Sequence, residues 1–281
     1  MNDRQHSQCP DCVPYEEKYP GIRSCISCGL ARTVGWTQPS DAQDYLISDE
    51  AREQLRIRYF NRLFRKYLRT VPPGRALDVG CARGEFVRVL ARQGWTAYGI
   101  DAYRGFPADN QRFFRASLTS FATAERYDLL TMIHTFEHIA DPIGALEQVK
   151  TLLQPGGALL IVVPNFGGIW SRQLGQRWDM LNPAHHILHY TVTGLRNVLH
   201  RSGFLIKATH TYSGYYAPSP WQTMLAERKF YERGFGAYQP FRSLIFRVNT
   251  WLKPILTRLV DWRNDGAEIH MVSTFGAQDT K

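Results

Sequence analysis

The run Leu77-Asp78-Val79-Gly80-Cys81-Ala82-Arg83-Gly84-Glu85 joins an apolar segment ending in an acid to a turn of small residues. Gly80, Ala82 and Gly84 leave no bulk in that turn, so the backbone can approach a bound ligand closely. A second apolar segment, Trp95–Ile100, ends at Asp101, whose carboxylate can accept hydrogen bonds from both hydroxyls of a ribose. Two such strand ends side by side make a nucleoside pocket. A nicotinamide fingerprint needs G-x-G-x-x-G, and Glu85 stands where its third glycine should be, which argues against that nucleoside.

Four of the five cysteines form the pattern Cys9-x2-Cys12-x12-Cys25-x2-Cys28. Each pair closes a tight turn that aims two thiolates at one ion, and two such turns complete the tetrahedral S4 site of a structural zinc. Disulfides, or a module that has lost its metal, are the alternatives. A closed site has no open position and supplies no chemistry of its own.

His134, Glu137 and His138 follow an apolar run, and a second group reads Pro183-Ala184-His185-His186-Ile187-Leu188-His189. Three readings stay open. His138 or His186, with His185 close behind, acts as general base or orients an acceptor. Alternatively His134, Glu137, His138 and His185 or His186 hold a divalent metal. Or Glu137 and His138 only brace their loop.

The elements that must position these groups alternate. A basic amphipathic helix is expected over 49–70, stopped by Val71-Pro72-Pro73-Gly74. Strands are expected at 76–79, 96–100, 112–118, 127–133 and 158–163, with helices at 85–94 and 142–153 between them. Beyond these, 193–202 reads as a helix, and 204–210 and 268–275 as strands. Apolar strands separated by helical patterns indicate an α/β fold with a parallel sheet covered on both faces. The pattern divides the chain into a small unit at 1–35, a connector and helix at 36–70, and a large domain at 71–281. Aromatic-rich insertions at 166–190 and 213–266 break the alternation and are expected to face a substrate.

The formal charge is +9, and arginine supplies most of the 34 basic residues. Arginine suits bidentate contacts to phosphate and carboxylate, so an anionic partner is expected. The stretch 241–263 mixes apolar and arginine positions, which suits packing against protein or peripheral contact with a membrane. An apolar secretory segment is not evident near Met1, so a cytoplasmic setting is expected, with the inner membrane face as the peripheral option.

With Leu77–Gly84 and Gly99-Ile100-Asp101 come Tyr127–His134, Phe136–Pro142, Leu152–Gly157 and Val162–Asn165, in that order. Together these motifs resemble the class I S-adenosylmethionine-dependent methyltransferases, with type 23, type 12 and ubiquinone O-methyltransferase features. The resemblance implies a Rossmann-like domain with a seven-stranded, mostly parallel sheet. It implies that Gly80, Cys81, Ala82 and Gly84 pack against the methionine part of the cofactor, that Asp78 orients their loop, and that Asp101 holds the ribose. Ser117 and Leu118 would face the adenine and His134 the reaction centre. Ala82 replaces the usual middle glycine, and Ser117 stands where the family often has an acid.

Small-RNA 2′-O-methyltransferases and ubiquinone-type enzymes carry E-x-x-E-H after the fourth strand and use it for a metal. Here His134 replaces the first acid, which weakens a magnesium site. The cysteine module resembles one found on bacterial methyltransferases that act on sugars and cell-surface glycans. The resemblance thus implies methyl transfer to a hydroxyl or carbon of a small molecule, sugar or glycan precursor. An RNA methyltransferase that uses the basic surface, and a non-catalytic module that only binds S-adenosylmethionine, are the rivals.

Overall fold

A computed structural model describes residues 15–37, 50–103, 111–213 and 258–276. Cys9, Cys12, most of the connector and residues 241–257 lie outside the described residues.

Seven strands form the central sheet: β4 (Arg75–Val79), β5 (Thr96–Asp101), β6 (Phe113–Arg115), β7 (Tyr127–Ile133), β8 (Leu153–Pro164), β10 (Leu205–Tyr212) and β11 (Glu268–Thr274), in the order β10-β11-β8-β7-β4-β5-β6. The neighbours from β6 to β8 pair in parallel, and β11 runs antiparallel to both β8 and β10. Strand order reverses at β4, whose neighbours are β5 and β7. Ligands bind beyond the carboxyl ends of the strands at such a switch point.

Side chains alternate across this sheet because successive strand residues point to opposite faces. Leu77, Val79, Leu130, Met132, Leu159 and Ile161 pack on α3 (Pro142–Leu152) and α5 (Val192–Arg201). Ala76, Leu129, Leu160 and Val162 pack on α1 (Glu50–Tyr67) and α2 (Glu85–Arg92). Both faces are therefore covered, and near-continuous apolar strands follow from that burial. Caps mark two of the helices. Asp141 accepts from Gly144 N ahead of Pro142, and Thr191 accepts from Gly194 N.

The amino-terminal residues form a second sheet, absent from the sequence reading. Its strands are β1 (Tyr15–Tyr19), β2 (Ile22–Cys25), β3 (Leu30–Thr33) and β9 (Leu188–Tyr190), all antiparallel neighbours in that order. β9 belongs to the 166–190 insertion, which also holds α4 (Ile169–Leu174). Ile22 and Ala31 share a small core with Phe166, Leu174, Trp178 and Leu181. The cysteine-bearing unit that the sequence pattern set apart is thus hydrogen-bonded into the same sheet as a strand of the large domain.

Candidate functional site

A cavity of about 730 Å³ opens at the carboxyl ends of β4, β5 and β7. The loop after β4 forms one wall. Gly80 takes φ 73, and Cβ there would lie 2.6 Å from Thr135 Cγ2. Ala82 adopts φ 46 without being glycine, a strained conformation of the kind that collects at ligand sites. Asp101 Oδ2 accepts from Ala82 N at 2.9 Å, and its Oδ1 accepts from Tyr103 N at 2.9 Å. Each oxygen keeps a lone pair for a ribose hydroxyl.

Asp78 is buried, and Thr131 Oγ1 donates to its Oδ1 at 2.6 Å. Burial raises its pKa to about 7; the Thr131 bond works the other way, and the charges of Asp101 and Glu85 add to the rise. Glu85, the residue that argues against a nicotinamide fingerprint, is buried and ion-paired with Arg56 at 2.8 Å.

A charged cluster centres on His134, which lines the same cavity. His134 sits at φ 52, with Nδ1 3.5 Å from Glu137 Oε1 and Nε2 3.6 Å from Glu268 Oε1. These are ion-pair distances, longer than a strong hydrogen bond. Burial opposes the charge on His134, but the two carboxylates override it and raise the pKa to about 10. Burial likewise works against Glu268, and His134 and His270 hold it down at about 2. Tyr59 Oη donates to Glu268 Oε2 at 2.8 Å, which carries the network into α1. Glu137 is buried, and neither of its oxygens accepts a hydrogen bond among the described residues.

Two further histidines line the cavity. His138 and His186 meet edge to face with ring centroids 4.9 Å apart. His138 Nδ1 donates to the carbonyl of His185 at 2.9 Å, which fixes the orientation of the ring. Burial pulls the pKa of His186 down to about 4, against the pull of Glu137, so the ring is neutral at pH 7. Burial also lowers His189, to about 3. Glu137, His138 and His186 each offer a ligand atom within 4.8 Å of the others.

Asp78, Gly80, Cys81, Ala82, Asp101, Ser117, Leu118, His134, Glu137, His138 and His186 all line the cavity. Two of the residues singled out from sequence do not. Gly84 serves instead as the left-handed residue at the start of α2, and His185 contributes its carbonyl. Tyr59, Phe60 and Arg56 of α1, and Asp179, Met180 and Asn182 of the insertion, also line the cavity. The sequence reading missed these six as individuals. The period of α1 showed which face is apolar but not that this face reaches a ligand. Glu268 was missed as well, since a carboxylate at the start of a strand carries no motif.

At the cysteine unit, Cys25 and Cys28 are buried, and Cys28 N donates to Cys25 Sγ at 3.4 Å. Gly29 takes φ 73 beside them, and its N–H bonds to the carbonyl of Cys25. Among the described residues, no helix is long and apolar enough to cross a membrane. In the carboxyl-terminal insertion, the described residues 258–262 are helical and leave Trp262 81% exposed.

The sheet order, the small-residue loop after β4 and the acid closing β5 define the class I S-adenosylmethionine-dependent methyltransferase fold. Solved structures share it. A SAM-dependent methyltransferase from Archaeoglobus fulgidus aligns with a TM-score of 0.51 at 18% identity, over 80% of this chain and 97% of that one. An S-adenosylmethionine-dependent methyltransferase from Mesorhizobium loti aligns at 0.50 and 18% identity, over 76% and 96%. At this identity the likeness establishes the fold.

The methyltransferase domain family matches residues 49–208, more than half of the chain, and the chain belongs to that family. Among curated relatives, the ubiquinone biosynthesis O-methyltransferase of Dinoroseobacter shibae is 33% identical over 97 residues, 31% of this chain and 39% of that protein. The trans-aconitate 2-methyltransferase of Agrobacterium fabrum is 26% identical over 168 residues, 54% of this chain and 56% of that protein. The chain thus spans about half the length of these relatives, or less.

Proposed function

We propose that this protein transfers the methyl group of S-adenosylmethionine to a hydroxyl or carbon of a small-molecule acceptor of the sugar or glycan-precursor kind. One observation carries the reading: the Gly80–Ala82 loop, Asp101 and the His138–His186 pair line one cavity. The loop and Asp101 suit the cofactor, as the family resemblance implies. The histidines suit removal of the acceptor's proton. The sulfonium supplied by the cofactor is already activated, so the chain's own task is alignment and proton transfer. His186 is neutral at pH 7 and so able to accept that proton, although the burial that keeps it neutral also weakens it as a base; its place beside His138 makes it the favoured group. His138, oriented through the His185 carbonyl, is its partner.

A second reading is supported by the buried Glu137, whose oxygens lack hydrogen bonds among the described residues. Glu137, His138 and His186 fit a divalent metal as a two-nitrogen, one-carboxylate set, more suited to zinc, manganese or iron than to magnesium. Such an ion would polarise the acceptor oxygen and lower its pKa. Cys25 and Cys28 likewise fit half of a structural zinc site, with Cys9 and Cys12 as the other half.

The test is incubation with methyl-labelled S-adenosylmethionine and fractionated cell extract, followed by identification of the labelled product. His186→Ala and His138→Ala should each lower the rate by about 100-fold or more while cofactor affinity holds. Label entering RNA instead of small molecules would favour the RNA rival. Cofactor binding without label transfer to any fraction would favour the non-catalytic one.

A further inference from the structure

The turn that carries His185 and His186 precedes β9, and its backbone acceptors have named partners. Trp36 Nε1 donates to Ala184 O at 3.1 Å. His138 Nδ1 donates to His185 O at 2.9 Å. Thr33 Oγ1 donates to His186 O at 2.8 Å, and Thr33 N donates to Ile187 O at 3.0 Å. Ala184 is exposed, but His185, His186 and Ile187 are half-buried or buried, so their carbonyls need such partners, and a turn has no helix or ladder to supply them. Trp36 and Thr33, at the end of the amino-terminal sheet, supply all but one of these donors. His138 supplies the remaining one.

The Thr33 hydroxyl has one proton, which the His186 carbonyl takes. Its lone pair therefore faces His189 Nε2, 2.9 Å away, and that nitrogen must be the donor. One side chain thus ties the backbone of His186 to the ring of His189. On the far side, Ile187 N donates to the Glu137 carbonyl at 3.0 Å, and Tyr190 stacks on Phe136 at 5.4 Å. Arg32 reaches the other histidine loop, where its Nη2 donates to Ala140 O at 3.1 Å.

We propose that the amino-terminal hairpin sheet is a clamp on the histidine wall of the cavity, with Thr33 the positioning residue that sets the backbone of His186. The proposal rests on the reading that His186 serves the transfer. It assigns the unit a task beyond holding a metal or touching the acceptor: it fixes where the base stands. Alignment matters at this level, since a displacement of about 1 Å at a reacting group can cost 100-fold in rate.

Thr33→Val keeps the β-branched shape and removes the hydroxyl. In the full chain with 15N-labelled histidine, the ring resonances of His138, His186 and His189 should shift or broaden. The initial rate of label transfer to the fraction that accepts methyl from the wild-type protein should fall about 10- to 100-fold. Affinity for S-adenosylmethionine by calorimetry should stay within about twofold, a ΔG change near 0.4 kcal/mol. Thr33→Ser should restore both rate and spectrum. Wild-type resonances and rate in Thr33→Val would overturn the clamp. So would cofactor affinity lost in step with rate, which marks general loosening. If His186→Ala keeps full activity, the functional reading fails by itself, and the ring resonances alone decide the clamp.

Discussion

Replacing Gly80 with alanine tests whether the loop after β4 is packed as tightly as a cofactor cradle requires. Gly21 provides the matched control. Both residues hold nearly the same left-handed backbone, φ 73 at Gly80 and φ 75 at Gly21. A Cβ at Gly21 meets nothing within 4 Å, so Gly21→Ala measures backbone strain alone, about 1–2 kcal/mol. At Gly80 the new Cβ would lie 2.6 Å from Thr135 Cγ2 and 2.9 Å from its Cβ. Thr135 follows His134 on the cavity wall, so it moves only by disturbing the site. Overpacking of this kind adds about 1–3 kcal/mol, for a total of about 2–5 kcal/mol. Urea denaturation should therefore show Gly80→Ala to be the more damaging by about 1–3 kcal/mol. Calorimetry should show S-adenosylmethionine affinity lowered by about tenfold or more in Gly80→Ala and unchanged in Gly21→Ala, one tenfold step being about 1.4 kcal/mol. Equal destabilisation in the two variants, with equal cofactor affinity, would refute the close approach of this loop to the ligand.

Two further outcomes are expected. Asp78 has its pKa raised by burial to about 7, so the free protein carries it part-protonated at neutral pH. A bound sulfonium favours the carboxylate, so binding should release a proton and tighten from pH 6 to 8; calorimetry in buffers of different ionisation enthalpy reads this directly, and an unchanged pH dependence in Asp78→Asn would remove Asp78 from the account. Elemental analysis should find about one zinc per chain, lost with thermal stability in Cys25→Ser; a metal-free wild-type protein with four readily titrated thiols would exclude the S4 site.

The main domain was legible because its signals are local. The strand at 127–133 ends where the apolar run ends, and the helix beginning at Pro142 is announced by Asp141 and the proline. The loop Asp78–Gly84 could be read from residue type alone, since small residues in a strand-to-helix turn have few other uses. The hairpins of the amino-terminal unit escaped because β2 and β3 are only four residues each. Runs so short show little alternation, and the cysteines drew the reading to metal spacing.

By itself, the amino-acid sequence determined the methyltransferase-like order of motifs, the acid for a ribose and the presence of histidines near a strand end. Those features depend on neighbours along the chain. The tertiary structure alone decided which histidines meet, because His138 and His186 are far apart in sequence and come together only through the sheet and the turn before β9. It separated His186, whose ring lines the cavity, from His185, which gives its carbonyl. It also brought Glu268 to His134 and Thr33 to His186, across separations that no periodicity records. The surroundings then set the charges: burial keeps His186 neutral, while Glu137 and Glu268 hold His134 charged against its own burial.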